Sequence, residues 1–282
     1  MKIFRTAEEL NNVLQDHRSN GDRIGFVPTM GALHSGHASL IEEAKSKCDR
    51  VVCSIFVNPT QFNDPGDLEK YPRRPEQDIS VLEAHECDFL FYPSVEDVYP
   101  EGMDYRLDFE LGYLDETMEG KFRPGHFQGV AQVVYQLLSI VEPTHLFMGM
   151  KDFQQLAVVD KMIRDMELPV KLIPCDTVRE PDGLAMSSRN LRLSREMRAS
   201  ASVLYETLQM VKIWVLKFNP EQVTQMAIEK IRQKGLKPEY FELVDPQTLL
   251  PIHKVHPPMV VVACVAAYAD EVRLIDNMVI KA

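Results

Sequence analysis

The sequence predicts an α/β protein: a doubly wound parallel sheet followed by a smaller α+β domain. Three observations carry this expectation. Short runs apolar on both faces, such as residues 51–57, suit strands buried between two helix layers. These runs alternate with helical stretches from residue 23 to about residue 173, and repeated strand–helix–strand units imply right-handed crossovers in one parallel sheet. After about residue 176 the alternation stops, and two long helices precede three apolar runs close enough in sequence to pair antiparallel. A length of 282 residues fits about two domains at roughly 150 residues each. The expected division is 1–176 for the parallel-sheet domain and 177–282 for the α+β domain, which would close over an active site.

In order along the chain, Thr6-Ala-Glu-Glu9 reads as a capping box before an amphipathic helix through about residue 17. Residues 23–27 read as a strand, 36–47 as a helix and 51–57 as a strand. Pro75 can open a helix through about residue 85, and 88–92 is a buried strand. Residues 127–141 carry Val130, Val133, Val134, Leu137, Leu138 and Val141 on one helical face. Residues 144–147 read as a strand, 152–166 as a helix and 170–173 as a strand. Helices are expected over about 195–217 and 220–234, and strands near 240–244, 259–267 and 272–280.

Lys and Arg number 31 against 42 Asp and Glu, for a formal net charge of −11. A field of that sign opposes nonspecific binding to nucleic acid or anionic lipid, though not a local basic pocket. The longest apolar run, 259–269, falls short of the ~20 residues of a membrane helix. No secretory signal is visible at the N-terminus. The five cysteines (Cys48, Cys53, Cys87, Cys175, Cys264) are scattered, without a C-x-x-C pair, and mostly among apolar neighbours. Reduced, buried thiols in a cytoplasmic protein are the expectation.

The most informative stretch is Phe26-Val-Pro-Thr-Met-Gly-Ala-Leu-His-Ser-Gly-His37, where a strand runs through a Gly-bearing turn into a helix. N–H groups at a helix start and the macrodipole favour an anion, and histidines three apart share the face of that first turn. Gly31 and Gly36 lack the Cβ that holds a nucleotide off the backbone. An H-x-x-H metal pair and a plain structural turn compete with phosphate binding.

A second cluster, Phe147-Met-Gly-Met-Lys-Asp-Phe-Gln-Gln155, follows another strand on the same sheet edge. Gly149 permits close approach and Lys151 offers a compact charge to phosphate. Asp152 either caps the next helix or holds a ribose hydroxyl, and Gln155 suits a hydroxy acid. Met186-Ser-Ser-Arg-Asn190 groups hydroxyls and a guanidinium suited to closing over a polyphosphate, although Ser-Ser-Arg is also common on surfaces. Val57-Asn-Pro-Thr-Gln-Phe62 places Asn58 and Gln61 past a buried strand, as ligand contacts or as a turn whose amides satisfy backbone.

Together with Tyr71-Pro-Arg73, Arg123-Pro-Gly-His-Phe127 and Gln154, these segments resemble the pantothenate synthetase (pantoate–β-alanine ligase) family over nearly the whole chain. The His34–His37 segment resembles the HIGH motif of the wider nucleotidyltransferase superfamily, whose sheet is Rossmann-like. Met150 stands where many members of the family carry lysine or another polar residue.

The resemblance implies ATP-dependent condensation of (R)-pantoate with β-alanine, through a pantoyl-adenylate, with Mg²⁺ on the phosphates rather than on protein side chains. It implies ATP contacts from Met30, Gly31, Ala32, Leu33, His34, Ser35, Gly36 and His37, with His37 as the proton donor. Lys151, Ser187, Ser188 and Arg189 would stabilise pyrophosphate. Gly149, Met150, Asp152, Val178 and Met186 would line the nucleotide site. Gln61, Gln155 and Asn58 would serve pantoate and β-alanine. No general base for the amine is apparent in these motifs, and a homodimer is the family's usual state. The rivals are a nucleotidyltransferase acting on a phosphorylated substrate, which would need extra cations, and a non-catalytic nucleotide sensor. An aminoacyl-tRNA synthetase is disfavoured by size and acidity.

Overall fold

The computed structural model describes residues 1–62, 65–101, 105, 107–256 and 258–281. The chain separates into two compact units, one of residues 1–150 and 154–176, the other of 151–153 and 177–282.

The first unit holds six strands: β1 (Lys2–Phe4), β2 (Ile24–Thr29), β3 (Arg50–Ile55), β4 (Phe89–Phe91), β5 (His145–Gly149) and β6 (Lys171–Cys175). They form one sheet in the order β1-β4-β3-β2-β5-β6, with every pairing parallel. The helices are α1 (Ala7–Ser19), α2 (Ser35–Lys47), α3 (Pro65–Glu69), α4 (Pro75–Ala84), α5 (Val95–Val98), α6 (Met118–Phe122), α7 (His126–Val141) and α8 (Phe153–Asp165). One sheet face packs Ile24, Phe26, Leu146 and Met148 against Leu10 and Leu14 of α1, the valine–leucine stripe of α7, and Val158 and Met162 of α8. The other face packs Val27, Cys53, Leu90 and Phe147 against Leu40, Ile41 and Ala44 of α2 and Leu82 of α4. Adjacent residues of one strand thus enter opposite cores, which is why these strands read as unbroken apolar runs.

The chain winds from β2 through β3 to β4 on one side and lays β5 and β6 on the other. The winding reverses between β2 and β5, where Gly25 pairs with His145 and Phe26 with Leu146. Ligands of such sheets bind beyond the strand carboxyl ends at this point.

In the second unit, α9 (Arg195–Ser200), α10 (Val203–Trp214) and α11 (Pro220–Gln233) precede the antiparallel sheet β7 (Lys237–Val244), β8 (Val260–Ala269), β9 (Val272–Lys281). Leu204, Leu208 and Val211 of α10 and Val223, Ala227 and Ile231 of α11 pack with Phe241, Val261, Val265 and Leu274.

Some elements differ from expectation. The helix expected over 195–217 is broken at residues 201–202, where the Leu204 N–H closes a tighter i→i+3 bond to the Ala201 carbonyl. β1 escaped the sequence reading because three residues carry no period. The short helices α3, α5 and α6 were also not foreseen.

Candidate active site

Residues 30–34 leave β2 at the reversal point, and side chains tie down this turn. The Gly31 N–H donates to Thr29 Oγ1 at 3.2 Å. The Ala32 and Leu33 N–H groups donate to the two carboxylate oxygens of Asp78, at 2.9 and 2.7 Å. Gly31 has φ +82° and Ala32 φ +50°, the left-handed region that a chain adopts only when its surroundings hold it there. A Cβ at Gly31 would lie 3.0 Å from the Asp78 carboxylate and 3.1 Å from Ile55, so this position needs glycine for φ and for room. Asp78 is 2% exposed on the first turn of α4, one helical turn before Leu82.

His34 then caps α2 with its own ring. His34 Nδ1 accepts from the Gly36 N–H at 3.1 Å, and His37 Nδ1 accepts from the His34 N–H at 3.3 Å, a reciprocal capping box. Since both Nδ1 atoms accept, each neutral imidazole carries its proton on Nε2 and presents it as a donor. The ring centroids lie 4.1 Å apart. At this helix start the Gly36 N–H is thus bonded within the cap. The amides of Gly31, Ala32, Leu33, His34 and Gly36 are bonded to Thr29, Asp78 and the two rings.

Gln61 ends a 3₁₀ turn (Pro59–Gln61) after β3, and its amide Nε2 lies 2.8 Å from Met30 Sδ, which joins the two segments. Asn58, expected among the substrate contacts, is fully buried, with its amide committed to the turn. Its Nδ2 donates to Thr60 Oγ1 and the Gly129 carbonyl, and its Oδ1 accepts from the Thr60 N–H and the Tyr99 hydroxyl. These bonds are those of the backbone-satisfying alternative, in which Asn58 holds the turn. On α8 the paired glutamines divide. Gln154 is buried and bridges Leu114, Thr117 and Glu119, whereas Gln155 is partly exposed. Gly149 closes β5 with open space where a Cβ would stand.

A cavity of about 510 Å³ opens at the carboxyl ends of β2, β3 and β4, lined among others by Arg5, Met30, Gly31, Arg73, Asp78 and Tyr92. Asp78 and this cavity were not read from the sequence. The only available signal was an aspartate on the Leu82 face of a helix.

In the second unit, Lys151 Nζ stands 3.6 Å from Asp152, and the Lys151 carbonyl accepts from Asn277 Nδ2 at 2.7 Å. Residues 178–186 form a hairpin in which the Met186 N–H donates to the Val178 carbonyl. Ser187 Oγ then accepts from the Arg189 N–H and caps a 3₁₀ turn (Ser188–Arg192), with Ser188 buried. Arg179 anchors the hairpin to Asp276 of β9 by two hydrogen bonds of 2.6 and 3.0 Å. Burial pushes the Asp276 carboxyl above the usual range, against the pull of that guanidinium.

The cysteines are buried and stand outside any disulfide. Burial raises the thiols of Cys87 and Cys175 to about 12 and about 11, which removes them from nucleophilic chemistry. Among the described residues no group of three His, Cys, Asp or Glu side chains is placed to cage a metal, and no helix is long and apolar enough to cross a membrane.

The pantoate–β-alanine ligase family matches this chain over residues 2–279. The chain belongs to that family. A pantothenate synthetase of Porphyromonas gingivalis is 49% identical over 99% of both chains, and one of Bacteroides thetaiotaomicron is 44% identical over 100% of this chain and 99% of its own. The crystal structure of the Thermus thermophilus pantothenate synthetase superposes with a TM-score of 0.92 at 41% identity over 99% of both chains. The Francisella tularensis pantoate–β-alanine ligase, complexed with β,γ-ATP and β-alanine, gives 0.82 at 38% identity over 99% of this chain and 97% of its own. Family membership makes the chain a ligase of pantothenate biosynthesis on a Rossmann-like sheet, and it sets aside the sensor and nucleotidyltransferase readings.

Proposed function

We propose that this ligase joins (R)-pantoate to β-alanine at the expense of ATP, releasing AMP and diphosphate, through two half-reactions. In the first, a carboxylate oxygen of pantoate attacks the α-phosphorus, and the bond to the bridging oxygen of pyrophosphate breaks. In the second, the β-alanine nitrogen attacks the acyl carbon of pantoyl-adenylate, AMP leaves with the carboxyl-derived oxygen, and the amine gives up a proton. The observation that carries this reading is the pair of Nε2–H donors on His34 and His37, held at the reversal point between β2 and β5. Donors fixed before the reaction stabilise charge that develops on phosphate without a reorganisation cost.

ATP is taken by Met30, Gly31, Ala32, Leu33, His34, Ser35, Gly36 and His37, with the imidazoles on phosphate oxygens. Gly149, Met150, Asp152, Val178 and Met186 serve the nucleotide. Lys151, Ser187, Ser188 and Arg189 offset charge on the departing pyrophosphate. Gln61 and Gln155 hold pantoate, and Gln61 also lies beside β-alanine. ATP enters as its Mg²⁺ complex, the cation neutralising phosphate charge. A hydrated, phosphate-borne ion fits an Asp78 whose carboxylate is already bonded to two amides. Water exclusion around the adenylate and positioning of the amine stand in for a dedicated base. The enzyme works as a cytoplasmic homodimer, which sedimentation would register as about twice the chain mass.

Purified protein given Mg-ATP, pantoate and β-alanine forms AMP only when both acids are present. ATP binding without turnover would overturn the proposal. In His37→Ala, pantoate-dependent pyrophosphate–ATP exchange falls by ~10²-fold or more, the typical cost of one charge-stabilising donor. Loss of the amine step alone, with normal exchange, would contradict the assigned role.

A further inference from the structure

The Arg123-Pro-Gly-His-Phe127 segment has no part in the chemistry above, yet it reaches the candidate substrate residue Gln61. His126 is the first residue of α7 and is 6% exposed. Its Nε2 lies 2.9 Å from Nη1 of Arg123, and its Nδ1 lies 2.8 Å from the Gln61 carbonyl oxygen. A guanidinium only donates, so Nε2 accepts and the ring proton sits on Nδ1, from which it is donated to Gln61. Arg123 is set in turn by Glu119, 3.6 Å away on the preceding helix.

The turn that Gln61 ends presses closely on α7. A Cβ at Gly129 would come within 2.5 Å of the Thr60 carbonyl oxygen, and the Gly129 carbonyl accepts from Asn58. Asn58 therefore secures the start of this turn, and His126 secures its last residue.

We propose that His126 is a positioning residue for Gln61. Its imidazole, oriented by Arg123, fixes the Gln61 carbonyl and so directs the Gln61 side chain toward the substrate carboxylic acid. This rests on the reading of Gln61 as a pantoate contact.

The test measures steady-state KM for pantoate and for ATP in His126→Ala, His126→Asn, His126→Gln, Gln61→Ala and the Gln61→Ala/His126→Ala double variant. Asparagine places its amide nitrogen near the Nδ1 position and keeps the bond to Gln61, whereas glutamine places its amide near Nε2 and keeps only the Arg123 side. The expected result is a pantoate KM raised about tenfold in His126→Ala and His126→Gln, the scale of one lost hydrogen bond. His126→Asn stays within about threefold of the parent, and the ATP KM stays within about twofold throughout. In the Gln61→Ala background, His126→Ala adds less than about twofold, because the group it positions is gone. If His126→Ala does not fold, the asparagine–glutamine contrast decides alone. Equal KM values for those two variants, or full additivity in the double variant, overturn the proposal. A Gln61→Ala enzyme with an unchanged pantoate KM overturns the underlying reading of Gln61 instead.

Discussion

Replacing Asp78 by alanine removes the acceptor for two backbone donors at once, and the cost follows from where those donors lie. The Ala32 N–H is buried, and left unpaired it costs about 1–3 kcal/mol. The Leu33 N–H is only partly buried and regains water, so its loss is nearer 1 kcal/mol. Together they amount to about 2–4 kcal/mol of local stability, or roughly 30- to 1,000-fold in the opening equilibrium of the turn. Amide hydrogen exchange reads this directly, since protection at Ala32 and Leu33 should drop by that factor while strand amides of β8 in the other unit keep theirs. The released turn also lets Ala32 leave its left-handed conformation and carries His34 and His37 with it. A displacement near 1 Å costs up to ~10²-fold in a reaction that depends on alignment, so pantoate-dependent pyrophosphate exchange falls 10-fold or more. Unchanged protection at both amides, or normal exchange activity, would refute the claim that Asp78 builds this turn.

Arg179→Ala strands the Asp276 carboxylate in a site where its side chain is 1% exposed, and should destabilise the second unit by about 3–5 kcal/mol in urea unfolding followed by Trp214 fluorescence. Burial already raises the Asp276 pKa, so this variant's deficit should shrink as pH falls through the carboxylate range and the group takes up its proton. In the parent protein, Cys175 at about 11 and Cys87 and Tyr99 at about 12 titrate above their ordinary 9.0, 9.0 and 10.0. The folded state keeps protons that the unfolded chain loses, so this contribution is whole below pH 9 and disappears as pH rises through 11–12. Urea midpoints measured from pH 8 to 11 should decline above 9, and a flat profile would contradict the burial of these groups.

Local patterns made most of the scaffold legible. Phe26 and Val27, or Leu146 and Phe147, enter opposite cores, and that arrangement is what an unbroken apolar run encodes. The histidine segment was legible for the same reason, because a strand, a glycine turn and a helix start lie within a dozen residues. What stayed hidden is long-range. Asp78 meets Ala32 across 46 positions and Asn58 meets Gly129 across 71, so whether a polar side chain is spent on the fold or left for a ligand was settled by partners that no window contains. Asn58 had two readings from the sequence for that reason, as a ligand contact or as a turn residue. His126 belonged to a recognised segment, but its bond to the Gln61 carbonyl spans 65 positions and appears only once α7 lies against the turn.

The same bonding bears on the turn after β2, which is proposed above to take phosphate. A helix start usually attracts anions through open N–H groups. Here the amides of Gly31, Ala32, Leu33, His34 and Gly36 each donate to a side chain of the protein. Such a turn has these five N–H groups held by the protein itself, which makes it rigid. Its left-handed residues are held before any ligand arrives, and its outward chemistry passes to two imidazoles whose Nδ1 atoms are already occupied. Neutral rings locked in one tautomer donate from a known edge and carry no fixed charge that would retain a departing pyrophosphate. That suits a step in which negative charge must be met during bond breaking and then released.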